Sequence, residues 1–422
     1  MDFTTVILVG LILALLLIFR VKNSKRYRLP PGPTALPLIG NLPQLDKNAP
    51  FKSFIKVSLA ISNGERWRQL RRFTLTTLRD FGMGRKGMEE WIQEESKHLR
   101  ARIETFKAAP FDPTFLLSRT VSNVICCLVF SQRFVYEDKQ FLHLLNIISE
   151  ILSCTSLPQL YNIFPWLMER LPGHQHTVFA QIEEIREFIR MKIQEHKETL
   201  DPSSPRDYID CFLIRMNQEK HIPTTEFNYD NLVSTVMNLF LAGTETTSST
   251  IRYALSVLIK YPHIQEKMQQ EIDSVIGRHR YAVIHEVQRF LDIVPFSLPH
   301  YALQDITFRG YTIPKDTVII PLLHSVLKEE KQWATPWSFN PQHFLDQNGN
   351  FKKNPAFLPF AAGKRACVGE SLARMEIFIF LVSLLQHFTF SCAEGPDSIN
   401  LIPEYSSFAN LPRRYQIIAT PR

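Results

Sequence analysis

Apolar positions recur every three or four residues from Gly64 to Arg280, the period of helices that bury one face. The pattern predicts helices over Glu65–Arg79, Met88–Thr105, Phe115–Val129, Leu142–Cys154, Val178–Glu198 and Tyr208–Met216. A longer helix is expected from Asp230 to Tyr261, with Asp230 as its cap and Pro262 as its stop. After Pro299 the texture changes to short β-prone runs at Ile306–Phe308, Thr312–Ile313, Thr317–Ile320, Phe388–Ser391 and Tyr415–Ala419. An apolar helix from Ser371 to Leu385 lies among them. No flexible linker separates the two textures, so the expected fold is one mainly α body with small β-sheets.

The N-terminus breaks this pattern. Phe3 to Phe19 is an uncharged, mostly apolar stretch of seventeen residues, at the short end of a membrane span. Asp2 precedes it, and Arg20, Lys22, Lys25, Arg26 and Arg28 follow, the reverse of a cleaved signal peptide. The positive-inside rule places the basic flank in the cytosol. Residues 1–20 therefore read as a signal-anchor transmembrane helix and 21–50 as a basic flank and proline-rich hinge containing Leu29-Pro30-Pro31-Gly32-Pro33. Residues 51–422 form the body.

Composition adds little to that outline. A chain of 422 residues, 45% hydrophobic, can bury a large core, and 31 Phe against 15 Gly favours apolar helical packing. The net charge of +7 is moderate, and the absence of any basic-aromatic run argues against nucleic acid. Six cysteines follow no zinc or disulfide spacing, which fits a reducing, cytosol-facing location.

One cysteine stands apart. In Phe360-Ala361-Ala362-Gly363-Lys364-Arg365-Ala366-Cys367-Val368-Gly369-Glu370, Cys367 lies between Gly363 and Gly369, with a helix following. Glycines permit a tight turn whose amides point at the sulfur, and the helix presents its positive end to the same atom. Both features favour thiolate over thiol. A lone thiolate so held suits a haem iron, and Arg365 supplies a fixed cation for a haem propionate. A buried structural cysteine is the alternative.

The long helix carries Ala242-Gly243-Thr244-Glu245-Thr246-Thr247 in mid-span. A mid-helix glycine costs about 1 kcal/mol relative to alanine, so a local bulge is expected there. Glu245 and Thr246 would form an acid–alcohol pair able to relay protons to dioxygen. Two further spacings are commonplace by themselves. Glu286 and Arg289, at i,i+3, read as a solvated surface pair. Trp67 and Arg71, one helical turn apart, read as a core indole beside an exposed guanidinium.

The Cys367 segment resembles the haem-binding loop of the cytochromes P450, the haem-thiolate monooxygenases. The resemblance extends over nearly the whole chain. The proline hinge, Asn63-Gly64-Glu65-Arg66-Trp67, Phe81-Gly82-Met83-Gly84 and Phe308-Arg309-Gly310-Tyr311 look like the vertebrate microsomal family-2 branch. It implies haem b held by Cys367 within a loop including Phe360, Gly363 and Gly369. Trp67, Arg71, His300 and Arg365 would meet the propionates, and Glu245-Thr246 would lie over the haem's open face. It also implies a structural group of Glu286 and Arg289 with Pro341-Gln342-His343-Phe344, His343 standing where many relatives have arginine. Arg68, Arg72, Arg79, Lys86 and Lys364 resemble the docking face for NADPH-cytochrome P450 reductase, with cytochrome b5 as an optional second donor. Ala242, Pro295, Ser297 and Phe408 would touch a lipophilic substrate, a xenobiotic, steroid or fatty acid. The implied location is the endoplasmic reticulum membrane, with the catalytic domain facing the cytosol.

Two departures accompany the resemblance. Relatives have several dozen residues between the equivalents of Ser58 and Leu59, including sheet strands and the loop that caps the pocket. A shorter stretch is absent near Arg280-Tyr281. The alternative function is thus a shortened haem-binding isoform with little or no turnover. A haem-thiolate isomerase is disfavoured, because such enzymes need no proton relay.

Overall fold

The computed structural model describes residues 62–82, 86–154, 170, 172–274, 279–406 and 409–422. The anchor at 1–20 and the hinge at 21–50 lie outside them; among the described residues no helix is long and apolar enough to cross a membrane. The helices are α1 (Gly64–Asp80), α2 (Lys86–Glu104), α3 (Thr114–Phe130), α4 (Lys139–Cys154), α5 (His174–Thr199), α6 (Tyr208–Glu219) and α7 (Tyr229–Lys260). They are followed by α8 (Pro262–Asp273), α9 (His279–Leu291), the short α10 (Leu323–Leu327) and α11 (Glu370–His387). The described strands pair antiparallel in two-stranded ribbons: β1 (His300–Tyr301) with β4 (Val318–Ile319), β2 (Ile306–Phe308) with β3 (Tyr311–Ile313), β5 (Phe388–Ser391) with β8 (Ile418–Pro421), and β6 (Tyr405–Ser406) with β7 (Asn410–Leu411). The fold is mainly α with small sheets, as the pattern led one to expect.

The core is built on α3 and α7, the most extensively packed helix pair. Almost every residue of α3 is buried, as befits a helix apolar on all sides. Gly243 of α7 packs directly against Ile125 of α3. A Cβ there would lie 2.6 Å from Ile125 Cδ1 of α3, so the glycine serves packing. The expected bulge is absent: α7 is α-helical throughout the Ala242–Thr247 segment. Thr244 and Thr246 instead return their hydroxyls to the carbonyls of Phe240 and Ala242, each at 2.7 Å. Ser122 and Ser118 of α3 face Thr244 and Ser248 at 3.2 and 3.4 Å, which satisfies polar groups between the helices.

Helix ends follow local chemistry with two corrections. The cap of α7 is Asn228, whose side chain accepts from the Asn231 amide at 2.9 Å, rather than Asp230. Pro262 opens α8 as well as following α7, because proline's missing N–H is harmless in a first turn. The last strand begins at Ile418 rather than Tyr415, whose hydroxyl is drawn to the Arg252 carbonyl of α7. In β5 the alternation is clear: Phe388 and Phe390 are buried, Thr389 and Ser391 exposed.

Candidate functional site

The Cys367 loop is fixed by its own backbone and by α1. Gly363 has φ +74, in the left-handed region that favours glycine, whereas Gly369 has an ordinary φ of −90. Cys367 N–H donates to the Phe360 carbonyl at 2.9 Å and closes the loop, while the Arg374 guanidinium lies 4.9 Å from the Phe360 ring. The amides of Gly369 and Glu370, at the start of α11, point at the Cys367 sulfur. Cys367 is exposed at the surface, while its sulfur is crowded by surrounding protein. Desolvation pushes its pKa up and outweighs those two amides and Arg71, which pull it down. In the protein alone the balance thus lies with the thiol, contrary to the expectation from the loop's amides. A bound metal cation would displace that proton.

Cations gather beside the sulfur. Arg71 Nη2 donates to the Ala366 carbonyl at 2.5 Å, and the Arg365 guanidinium lies 3.9 Å from the centroid of Trp67. Arg365 also donates to Ser62 O and Asn63 Oδ1, both at 2.9 Å. His300, half-buried on β1, has a lowered pKa, from burial first and then from Arg365. Among the described residues, the hydrogen-bond partners of Arg71 and Arg365 are carbonyl or amide oxygens, and no carboxylate neutralises either. So much uncompensated positive charge beside one sulfur fits an anionic group.

Glu245 and Thr246 point apart. Thr246 is half-buried, and Ala242, whose carbonyl takes its hydroxyl, is exposed. Glu245 is buried toward α3, where Ser249 Oγ donates to its Oε1 at 3.1 Å and Arg252 Nη1 stands 3.8 Å away. Burial raises its pKa, against the opposing pull of Arg252 and the hydroxyls of Ser249 and Ser118. A side chain rotation would be needed to bring the two groups together, since adjacent helical residues diverge by about 100°.

Glu286 and Arg289 are not a surface pair. Both side chains are 0% exposed and 2.7 Å apart. Arg289 also donates to the carbonyls of Leu327, Pro336 and Ser338 at 2.8–3.0 Å. Glu286 Oε1 accepts from the Asn340 amide at 2.8 Å, and His343 Nδ1 stands 3.2 Å from Oε2. Among the remaining candidates, Pro295 and Ser297 are buried, and Arg68, Arg72, Arg79 and Lys364 are exposed. Phe408 and the Lys86 side chain lie outside the described residues.

The cytochrome P450 family profile matches residues 51–419. The chain belongs to the cytochrome P450 family. It is 44% identical to cytochrome P450 2G1 of Oryctolagus cuniculus, covering 97% of this chain and 96% of that protein. Identity is 42% to human cytochrome P450 2A13, over 97% of each chain, and 40% to cytochrome P450 2F3 of Capra hircus, over the full length of both. It is therefore a P450 monooxygenase, an enzyme whose cofactor is haem with a cysteine thiolate on the iron.

In this P450 several buried acids escaped the sequence reading, and Glu376 is one of them. Glu376 of α11 is 1% exposed, is hydrogen-bonded to Thr247 of α7, and has an Oε1 without a hydrogen-bond partner among the described residues. Burial raises its pKa well above the carboxylate range. A lone Glu inside the apolar run Ser371 to Leu385 was the available signal.

Proposed function

We propose that Cys367 is the axial ligand of haem b and that Trp67, Arg71, His300 and Arg365 hold its propionates. The observation carrying this reading is the pair of α11 amides aimed at Cys367 Sγ beside guanidinium groups lacking carboxylate partners. Haem bound there supplies reductive activation of dioxygen: two electrons and two protons put one oxygen atom into a substrate C–H bond and release the other as water. The chain's own part is to hold the cofactor, orient the substrate and move protons. Thr246 offers a hydroxyl on the open face of α7, with Glu245 as the buried acid behind it. Glu286, Arg289 and His343 hold the segment that leads to the Cys367 loop.

Electrons would come from NADPH through a flavoprotein reductase, with cytochrome b5 as a second donor. Exposed Arg68, Arg72, Arg79 and Lys364, with Lys86, form the docking face. The substrate is a lipophilic small molecule bounded by Ala242, Pro295, Ser297 and Phe408. The N-terminal segment supports a place on the endoplasmic reticulum membrane, with residues 51–422 in the cytosol.

One observation favours the second reading, a shortened isoform of low turnover. The alignment to the goat relative is 491 long against a chain of 422 residues, so that relative carries residues this chain lacks. Leu303, Phe308, Val318 and Leu322 are exposed around the β1–β4 and β2–β3 ribbons. A reductase-supported assay separates the two. Coupled turnover predicts that Thr246→Ala lowers product per NADPH by about tenfold while substrate affinity is kept. An unchanged ratio in that variant places the relay elsewhere, and NADPH consumption without product in the parent supports the low-turnover isoform.

A further inference from the structure

The segment leaving α9, Asp292 to Ser297, is pinned from two sides. Asp292 follows the helix with φ +26, a conformation that Asp tolerates better than most residues, and is 5% exposed. From α10, His324 N–H donates to the Pro295 carbonyl at 2.9 Å, and His324 Nδ1 lies 2.5 Å from Asp292 Oδ2. A carboxylate only accepts, so Nδ1 is the nitrogen that carries the proton. Ser297 N–H donates to Pro321 O at 3.0 Å, just ahead of α10, and Lys328 Nζ donates to Phe290 O at 2.7 Å. From β7, Asn410 N–H donates to Ile293 O at 2.8 Å. Its Nδ2 reaches Asp292 O at 3.0 Å and Asp292 Oδ1 at 3.3 Å.

One buried carboxylate thus joins three elements far apart in sequence. Its two oxygens face different partners, His324 on a half-open surface and Asn410 in the interior. Pro295 and Ser297 follow within five residues of Asp292, so the direction in which Asp292 sends the chain fixes where they stand. With a partner removed, a carboxylate in this strained turn loses the restraint that selects its conformation.

We propose that the His324–Asp292–Asn410 chain is a positioning clasp that sets the 293–297 segment against β7 and thereby decides how a lipophilic ligand is oriented toward the iron. The proposal rests on the reading of Pro295 and Ser297 as substrate contacts. None of the three acts on the reacting atoms; they act through the turn.

The test uses the full-length haem-loaded chain and two positional isomers, 1-phenylimidazole and 4-phenylimidazole. Each binds iron through nitrogen and projects its ring differently, and each affinity is read from the Soret shift. In His324→Phe, which keeps a ring without a donor, and in Asn410→Ala, the ratio of the two affinities should change by about threefold or more. His324→Gln, which restores an N–H donor, should return the ratio toward the parent value. A purely structural role would weaken both isomers alike. A parent-like ratio in both His324→Phe and Asn410→Ala overturns the clasp. A parent lacking the red-shifted carbon monoxide band overturns the haem reading instead, and the clasp's purpose with it.

Discussion

The guanidinium of Arg365 lies 3.9 Å from the centroid of the Trp67 ring and donates to Ser62 O and Asn63 Oδ1 as well. This contact ties the Cys367 loop to the start of α1 and sets side by side the indole and guanidinium proposed above to hold the propionates. A cation over an indole contributes about 0.5–2 kcal/mol, and a charged hydrogen bond about 1.5–3 kcal/mol. Arg365→Ala should therefore speed haem transfer to apo-myoglobin by about tenfold or more, with Arg365→Lys between it and the parent. Parent rates in both variants would remove Arg365 from the haem site.

The Glu286–Arg289 pair concerns folding. Both partners are wholly buried, and Arg289 links α9 to the carbonyls of Leu327, Pro336 and Ser338. Taking the guanidinium from buried Glu286, which among the described residues then keeps only the Asn340 amide and His343, costs up to about 3–5 kcal/mol, a large share of a domain's 5–15 kcal/mol. Arg289→Ala should sharply lower haem-loaded soluble yield. Arg289→Lys should recover little, because one ammonium cannot span those carbonyls. A soluble, haem-replete Arg289→Ala protein would contradict this.

Glu376 gives a pH signature. Its folded pKa is raised by burial, so the native state keeps a proton that the unfolded chain releases above its ordinary value of about 4.5. Its contribution is complete below that value and is lost progressively as pH rises toward the folded pKa. Glu376→Gln keeps the shape but cannot ionise. The Tm advantage of the variant over the parent should grow between about pH 5 and pH 8. A constant difference across that range would mean that Glu376 is ionised in the folded protein or exposed to water.

The sequence pattern located the helices from α1 to α7, and α11, because each carries a long apolar repeat, one-sided in most and all-round in α3. It gave no range for α9 or the short α10, and it missed α8, whose Pro262 reads as a stop when seen only from the preceding helix. Gly243 looked like a weakness in α7, yet its purpose is the approach of Ile125, which no local signal reports. The Cys367 loop was legible because cysteine, turn and helix start are contiguous. The burial of Glu286 and Arg289 was not, since i,i+3 spacing is the same on a surface and in a core. The Asp292 clasp depends on residues brought together only by tertiary folding, and neither His324 nor Asn410 stands in a motif.

The claim on which the rest depends is that the Cys367 sulfur binds the iron. The reduced, carbon-monoxide-bound absorption spectrum tests it most directly, on the parent, Cys367→Ser and the control Cys211→Ser. The parent and the control should show the red-shifted Soret band of a thiolate-ligated haem, and Cys367→Ser should lack it. The same band persisting in Cys367→Ser would show that another residue holds the iron.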